Sequence, residues 1–253
     1  CRAGGIAVIG PDAETLRRLA DPRELAALPL GDSGLPAGAP ARAIEIEVLA
    51  DRHGTVWVLG LRDVAIVGDP RGPVVAEEPA RLAPALEARL REAVRAWVDS
   101  LECSGALVLQ ARHDGERFAL DGVDAVVVPG RATTQVRRGL SITEWRLRVQ
   151  RGEPLPPGEP VAEGVAIELR VLAEPGGGVS PAAPAAVLAL TLPAGSGARI
   201  DANRRAGDPV VPEDPVLAVY SAWAPQRTAA MARLRRALER SVIVVAGAST
   251  SRM

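Results

Sequence analysis

The chain has 253 residues, 47% of them hydrophobic, with 30 basic and 31 acidic side chains, enough to bury one sizeable core or two smaller lobes sharing an interface. Its near-zero net charge and dispersed basic residues leave no electrostatic footprint for nucleic acid or an anionic membrane, and no apolar run reaches the roughly 18–20 residues a bilayer crossing needs. Cys1 and Cys103 form no CxxC or Cys/His spacing, which fits a reducing, cytoplasmic setting without a zinc site or disulfide framework, and the absence of any lysine excludes a phosphate clamp, Schiff base or biotin attachment through a lysine of this polypeptide.

In chain order, Ile6 to Gly10 reads as a short buried strand, and Pro11-Asp12 then opens a helix carrying Leu16 and Leu19. The start on Cys1, close before this strand, leads to the expectation of residues upstream. From Leu28 to Pro40 the composition of Gly, Pro, Ala, Asp and Ser predicts a linker. Ile44-Glu45-Ile46-Glu47-Val48 alternates strictly, Asp51-Arg52-His53-Gly54 is a turn cluster, and Thr55 to Leu59 resumes the extended pattern, so a hairpin is predicted. Leu86, Leu90, Val94, Trp97 and Leu101 recur at helical spacing over 84–101.

A second hairpin is predicted from Gly105 to Leu109 and Arg117 to Leu120 around the polar turn 112–116. Ser141 and Glu144 make a capping-box pair opening a helix with Trp145, Leu147 and Arg148, which Pro154 and Pro156 end. Beyond the proline-rich stretch 154–160, Ile167, Leu169 and Val171 face one way along a strand and Glu168 and Arg170 the other. Strands at 186–192 and 216–223, a helix around 226–240 carrying Met231, Leu234 and Leu238, and a strand at 242–246 complete an α+β pattern.

Chemistry-bearing residues are sparse. His53 and His113 both fall in predicted turns, where solvent-exposed histidines are expected rather than general bases. Gly176-Gly177-Gly178 follows Pro175 with no lysine or helix-opening Ser/Thr, so a flexible loop is favoured over a phosphate loop. Adjacent Glu77 and Glu78 point to opposite faces of an extended segment, which favours a solvated approach to the next helix over a cation site. Arg233-Leu234-Arg235-Arg236 reads as the wet face of an amphipathic helix. Arg170 with Glu168 reads first as an Arg–carboxylate pair on a sheet surface, with a functional role as the alternative.

Several segments, in order, resemble biotin carboxylase, the ATP-grasp subunit of acetyl-CoA, propionyl-CoA and related carboxylases. Gly5 to Pro11 with Ala13-Glu14 is similar to the family's GIxFIGPxxE; Arg42 to Leu49 with Asp51-Arg52-His53-Gly54 resembles RHIEVQVLAD-x-HG. Gly139-Leu140, Glu144 to Val149 and Gly152 to Pro156 resemble TGLDLVEWQLRVAAGEPLP, the most specific of these. Ala166 to Glu174 is similar to AIEARVYAE, and Asp214-Pro215 to Trp223 with the following helix resembles YDPMIAKLIAWG.

The departures fall on positions that the resemblance marks as chemical. Asp21-Pro22 stands in place of a phosphate-contacting lysine, and only the linker to Pro40 occupies the place of the glycine-rich lid. Val67 to Pro73 replaces QRRHQK. Val108 replaces a magnesium-ligating glutamate, and a valine cannot hold a metal. Asp121 is the remaining carboxylate of the second metal-binding stretch, 121–135, where the bicarbonate-activating glutamate falls near Gly130. Arg170 alone matches an active-site position, the arginine near bicarbonate and biotin.

The resemblance therefore implies residues 1–40 as the remnant of an N-terminal strand–helix unit with a linker in place of the lid, 41–156 as a truncated ATP-grasp-like region, and 157–253 as a biotin-carboxylase C-terminal-like region. ATP, magnesium and biotin serve the family; none is predicted for this chain. The expected function is that of a catalytically inactive scaffold with a structural or regulatory role, associating with biotin-dependent carboxylase subunits or with itself. The alternative is a subunit that contributes to ATP-dependent biotin carboxylation through a composite site with a partner chain.

Overall fold

The computed structural model describes residues 10–21, 35, 40–65, 74–125, 132–175, 185–195, 197–211 and 214–250. The strand expected before Gly10, the segment 67–73, Gly130 and the glycine run 176–178 lie outside these. The chain divides into two compact units, one from Cys1–Ala65, Glu78–Pro129 and Arg138–Ala162, the other from Ile66–Glu77, Gly130–Arg137 and Glu163–Met253.

In the first unit, α1 (Ala13–Leu19) is capped by Asp12, whose carboxylate accepts from Thr15 N. The expected hairpins are present: β1 (Arg42–Ala50), β2 (Val56–Ala65), β4 (Gly105–His113) and β5 (Phe118–Asp124) lie in the order β5-β4-β1-β2, each neighbour antiparallel. The helix α2 (Pro84–Ser100) starts with proline at its first turn, where no N–H is needed, and buries Leu86, Leu90, Val94 and Trp97. These pack on Ile44, Ile46 and Val48 of β1 and Leu107 and Leu109 of β4.

The other face of β1 is covered as well. Leu49, Trp57, Leu59 and Ala106 pack with Ile142 and Val149 of α4 (Ile142–Gln150) and with Leu155 beyond it. Ser141 caps α4 through its hydroxyl, which accepts from Glu144 N. Trp57 meets Trp145 edge to face at 5.1 Å and donates from its indole to Pro156 O, satisfying its one polar group in a mostly apolar setting.

In the second unit, β3 (Val75–Glu78), β6 (Val165–Leu172), β11 (Val216–Ala224) and β9 (Ala198–Asp201) lie in that order. A smaller sheet is ordered β10 (Pro209–Val210), β8 (Ala185–Thr191), β12 (Val242–Ala246), and β7 (Glu174–Pro175) pairs with β13 (Ala248–Ser249). A short helix, α3 (Thr133–Arg138), precedes β6.

The helix α5 (Arg227–Glu239) buries Ala230, Leu234 and Ala237. The sequence pattern had placed Met231 in this stripe. Met231 is exposed, because the two alanines set the helix down on β11 one position round from the larger side chains. Below it Tyr220 donates to Ser241 Oγ at 2.7 Å, and the Ser241 hydroxyl in turn donates to Ala237 O at 2.8 Å. The architecture is α+β, with mainly antiparallel sheets.

Candidate functional site

The pairing of β6 with β11 sets Glu168 opposite Ser221 and Arg170 opposite Val219. Glu168 and Arg170 share a face, as alternation required, while Ile167 and Val171 enter the core on the other. The expectation of a sheet surface is corrected: Glu168 is 3% exposed and Arg170 7%. The cause is the start of α3, where Ala132, Thr133 and Thr134 are buried and Ala132 N donates to Glu168 Oε2 at 2.7 Å.

Glu168 is the hub of this cluster. Its Oε2 also lies 3.4 Å from the Ser221 hydroxyl, and its Oε1 sits 3.8 Å from Arg170 Nε. A charge-assisted bond from a backbone N–H is among the stronger hydrogen bonds available to a carboxylate, so Glu168 ties the start of α3 to β6 while balancing the arginine. Arg170 N in turn donates to Val74 O. The arrangement gives a buried, charge-compensated guanidinium with a fixed orientation.

The remaining candidates are placed as follows. His53 is exposed, its Nε2 3.0 Å from Gly152 O, as a turn histidine should be. His113 corrects the expectation of exposure: it is the last residue of β4, paired with Arg42 on one side and Phe118 on the other, and is only 3% exposed. Burial, then the Arg42 charge, hold its pKa below the ordinary imidazole range. The turn itself is shorter than predicted. It closes between Asp114 N and Arg117 O, with the Asp114 carboxylate accepting from Glu116 N and Arg117 N.

Glu78 also corrects its reading as solvated: it is fully buried, because the chain after β3 folds back, with Ala80 N donating to Leu61 O. Glu77 forms a bidentate pair with Arg227, at 2.6 and 2.9 Å. Of the arginine run on α5, Arg235 and Arg236 are exposed as expected, while Arg233 donates to Trp223 O. Asp121 is engaged by Arg112 on the neighbouring strand at 2.7 and 2.8 Å, and Val108 is buried within β4. Among the described residues, no three His, Cys, Asp or Glu side chains are placed to hold a metal ion, and no helix is long and apolar enough to cross a membrane.

Two polar clusters were not singled out in the sequence. Arg62 reaches Glu45 and Glu47, each at 3.1 Å, with all three side chains buried. Asp51 accepts from Thr55 N, His53 N and Leu155 N at 2.9, 2.8 and 2.7 Å. Burial alone would push its pKa up, but those three backbone donors, with the His53 charge, hold it below the ordinary aspartate value.

The fold is that of a biotin carboxylase domain. The solved biotin carboxylase domain of a thermophilic 2-oxoglutarate carboxylase, bound to bicarbonate, matches with a TM-score of 0.85 over 99% of this chain and 72% of that one, at 21% identity. No protein-family model matches the chain. It is 30% identical over 212 residues to the mitochondrial methylcrotonoyl-CoA carboxylase subunit alpha of Rattus norvegicus, covering 80% of this chain and 29% of that protein. It is 30% identical over 251 residues to the biotin carboxylase of Halalkalibacterium halodurans, covering 93% of this chain and 53% of that one. The chain is thus a homologue of biotin carboxylases and of methylcrotonoyl-CoA carboxylase alpha subunits, and it spans about half of the bacterial relative's length and less than a third of the rat protein's.

Proposed function

We propose that this chain is a catalytically inactive biotin-carboxylase-like protein with a structural or regulatory role in a cytoplasmic acyl-CoA carboxylase complex. The observation that supports this reading is an asymmetry. The scaffold segments fold, whereas the positions that the resemblance marks for chemistry hold groups unsuited to it: Val108 is buried where a metal-ligating glutamate would stand, and Asp121 is tied to Arg112. Phosphoryl transfer depends on metal ions and cationic clamps that position and neutralise the phosphates. Arg170 alone does not supply them, and its charge is balanced by Glu168. Fold stability rests on the core pattern and survives such losses, so a binding role outlasts the chemistry.

The test is ATP cleavage by the purified protein with biotin, bicarbonate and magnesium, together with recovery of partners from its native cells. The expected result is no biotin-dependent release of phosphate and stoichiometric co-purification of biotinylated or carboxyltransferase subunits. Biotin- and bicarbonate-dependent ATP cleavage would overturn the inactive reading, and recovery of the protein alone from cells that express it well would overturn the association.

A further inference from the structure

Arg146 lies in the middle of the core-facing stripe of α4, between Ile142 and Val149, and is 6% exposed. Arginine is almost never buried to this degree without a partner. The first unit obeys that rule at its other deeply buried arginine, Arg62, which has two carboxylates at 3.1 Å. At Arg146 it does not: Nε is sealed from solvent with no hydrogen-bond partner, and no carboxylate among the described residues pairs with the guanidinium. Burial pushes its pKa down.

The guanidinium is bordered by a glycine turn. Gly10 faces it with a φ of +135°, a conformation that favours glycine, and a Cβ built there would stand 3.9 Å from Arg146 Nη2 and 3.9 Å from Ala125 O. The Gly10 turn is fixed from both sides. Its N–H donates to Gln150 Oε1, one helical turn beyond Arg146, at 3.4 Å, and Gly105 backs it, with space for a Cβ ending 3.4 Å from Gly10 Cα. A cation held on a helix, without a paired carboxylate among the described residues and facing a side-chain-free turn, is the arrangement in which an incoming anion gains most.

We propose that Arg146 and the Gly10 turn form a binding site for a small oxyanion that presents two oxygens to one edge of the guanidinium, as a phosphate or a carboxylate group does. A guanidinium is suited to this because its planar fork matches two oxygens at once and it stays charged when desolvated. The anion supplies the counter-charge that the described residues do not, so binding and folding are linked. This inference is independent of the role proposed above.

The experiment follows the thermal unfolding of the wild-type protein and of Arg146→Gln and Arg146→Met in phosphate, acetate and chloride at constant ionic strength. Wild type is expected to show a saturable rise in Tm of about 2–4 °C in phosphate, acetate or both. Both variants are expected to be at least as stable as wild type in chloride and to show no rise. A response confined to one anion assigns the site to a phosphate or to a carboxylate ligand. A flat wild-type response in both, or a parallel rise in the variants, overturns the proposal. Should the variants fail to fold, the Nε–Hε resonance of Arg146 in 15N-labelled wild type decides: a saturable shift on titration with phosphate or acetate supports the site, and an unmoved resonance overturns it.

Discussion

Glu45 and Arg62 stand directly opposite each other in the β1–β2 ladder, and Arg62 Nε lies 3.1 Å from Glu45 Oε2 with neither side chain more than 3% exposed. Glu47, two residues along β1 on the same face, takes the other end of the guanidinium. Removing the arginine alone leaves two buried carboxylates without this cation. Arg62→Met is therefore expected to destabilise the first unit by about 3–5 kcal/mol in urea unfolding. The triple variant Arg62→Met, Glu45→Leu, Glu47→Leu is expected to recover most of that loss, since apolar replacements of a whole buried ionic cluster are often neutral. A loss under about 1 kcal/mol for Arg62→Met would show that water compensates the carboxylates, as at exposed pairs.

Asp51 gathers three backbone N–H groups, two from its own hairpin turn and one from Leu155 beyond α4. Asp51→Ala removes all three acceptor contacts and is expected to cost about 3 kcal/mol near neutral pH. Because the folded pKa lies below the ordinary value of 3.8, the ionised group stabilises the fold above that value, and the contribution fades as pH falls through 3.8 towards the folded pKa. The gap between wild type and variant in urea midpoint should narrow on acidification across that range. A gap that stays constant down to a pH of about 2 would assign the effect to packing instead.

How far the sequence discloses this structure is clearest on β1 and β2. Strict alternation identified the strands, and the Asp51–Gly54 cluster identified their turn. Alternation also says which residues share a face, but not what covers that face, so Glu45 and Glu47 look solvated in a single sequence while in the folded chain both are buried, on the face where Leu49 packs with α4. A bulge hides the partner as well. The register shifts between Glu47 and Val48, so that Leu59 is the extra residue on β2 and parity beyond it is inverted. Counted without the bulge, Arg62 points to the α2 side, away from both glutamates.

The same limit explains Glu168 and Arg170, whose shared face was legible and whose cover, the start of α3, was not. His113 failed differently. Its polar neighbours Asp114 and Gly115 drew the start of the turn two residues too early, and the Asp114–Arg117 closure moved His113 into the ladder. Arg146 falls on a stripe whose other members are apolar, and helical period alone carries no warning that a charge occupies the buried position.

Cys103 follows α2, buried and in the free thiol form. Burial pushes its pKa up to about 11, outweighing the opposing influence of its own backbone and of Arg18. The thiolate is the reactive form, so under mildly alkaline native conditions the thiol is expected to resist alkylation by iodoacetamide and to react once urea unfolds the chain. Peptide mapping distinguishes it from Cys1. Rapid modification of Cys103 in the native protein would place it on an opening, solvent-reached surface.

Glu168 offers a test of whether the arginine cluster is built for orientation or for charge. Its Oε2 holds Ala132 N at 2.7 Å and its Oε1 faces Arg170 Nε at 3.8 Å, so the short contact is with the backbone and the long one with the cation. If anchoring the approach to α3 is the larger task, Glu168→Gln, which keeps an acceptor oxygen, should cost less than Glu168→Ala. The alanine variant is expected to lose about 2–3 kcal/mol, the range for a buried hydrogen bond to a charged group, and to lower hydrogen-exchange protection selectively at the Val136 amide, which bonds to Ala132 O. If charge balance dominates, the two variants should fall equally and a cycle with Arg170→Met should return a coupling of about 1–3 kcal/mol. The 3.8 Å separation favours anchoring, because an ion pair at that length lacks the hydrogen bond that gives buried pairs most of their net strength.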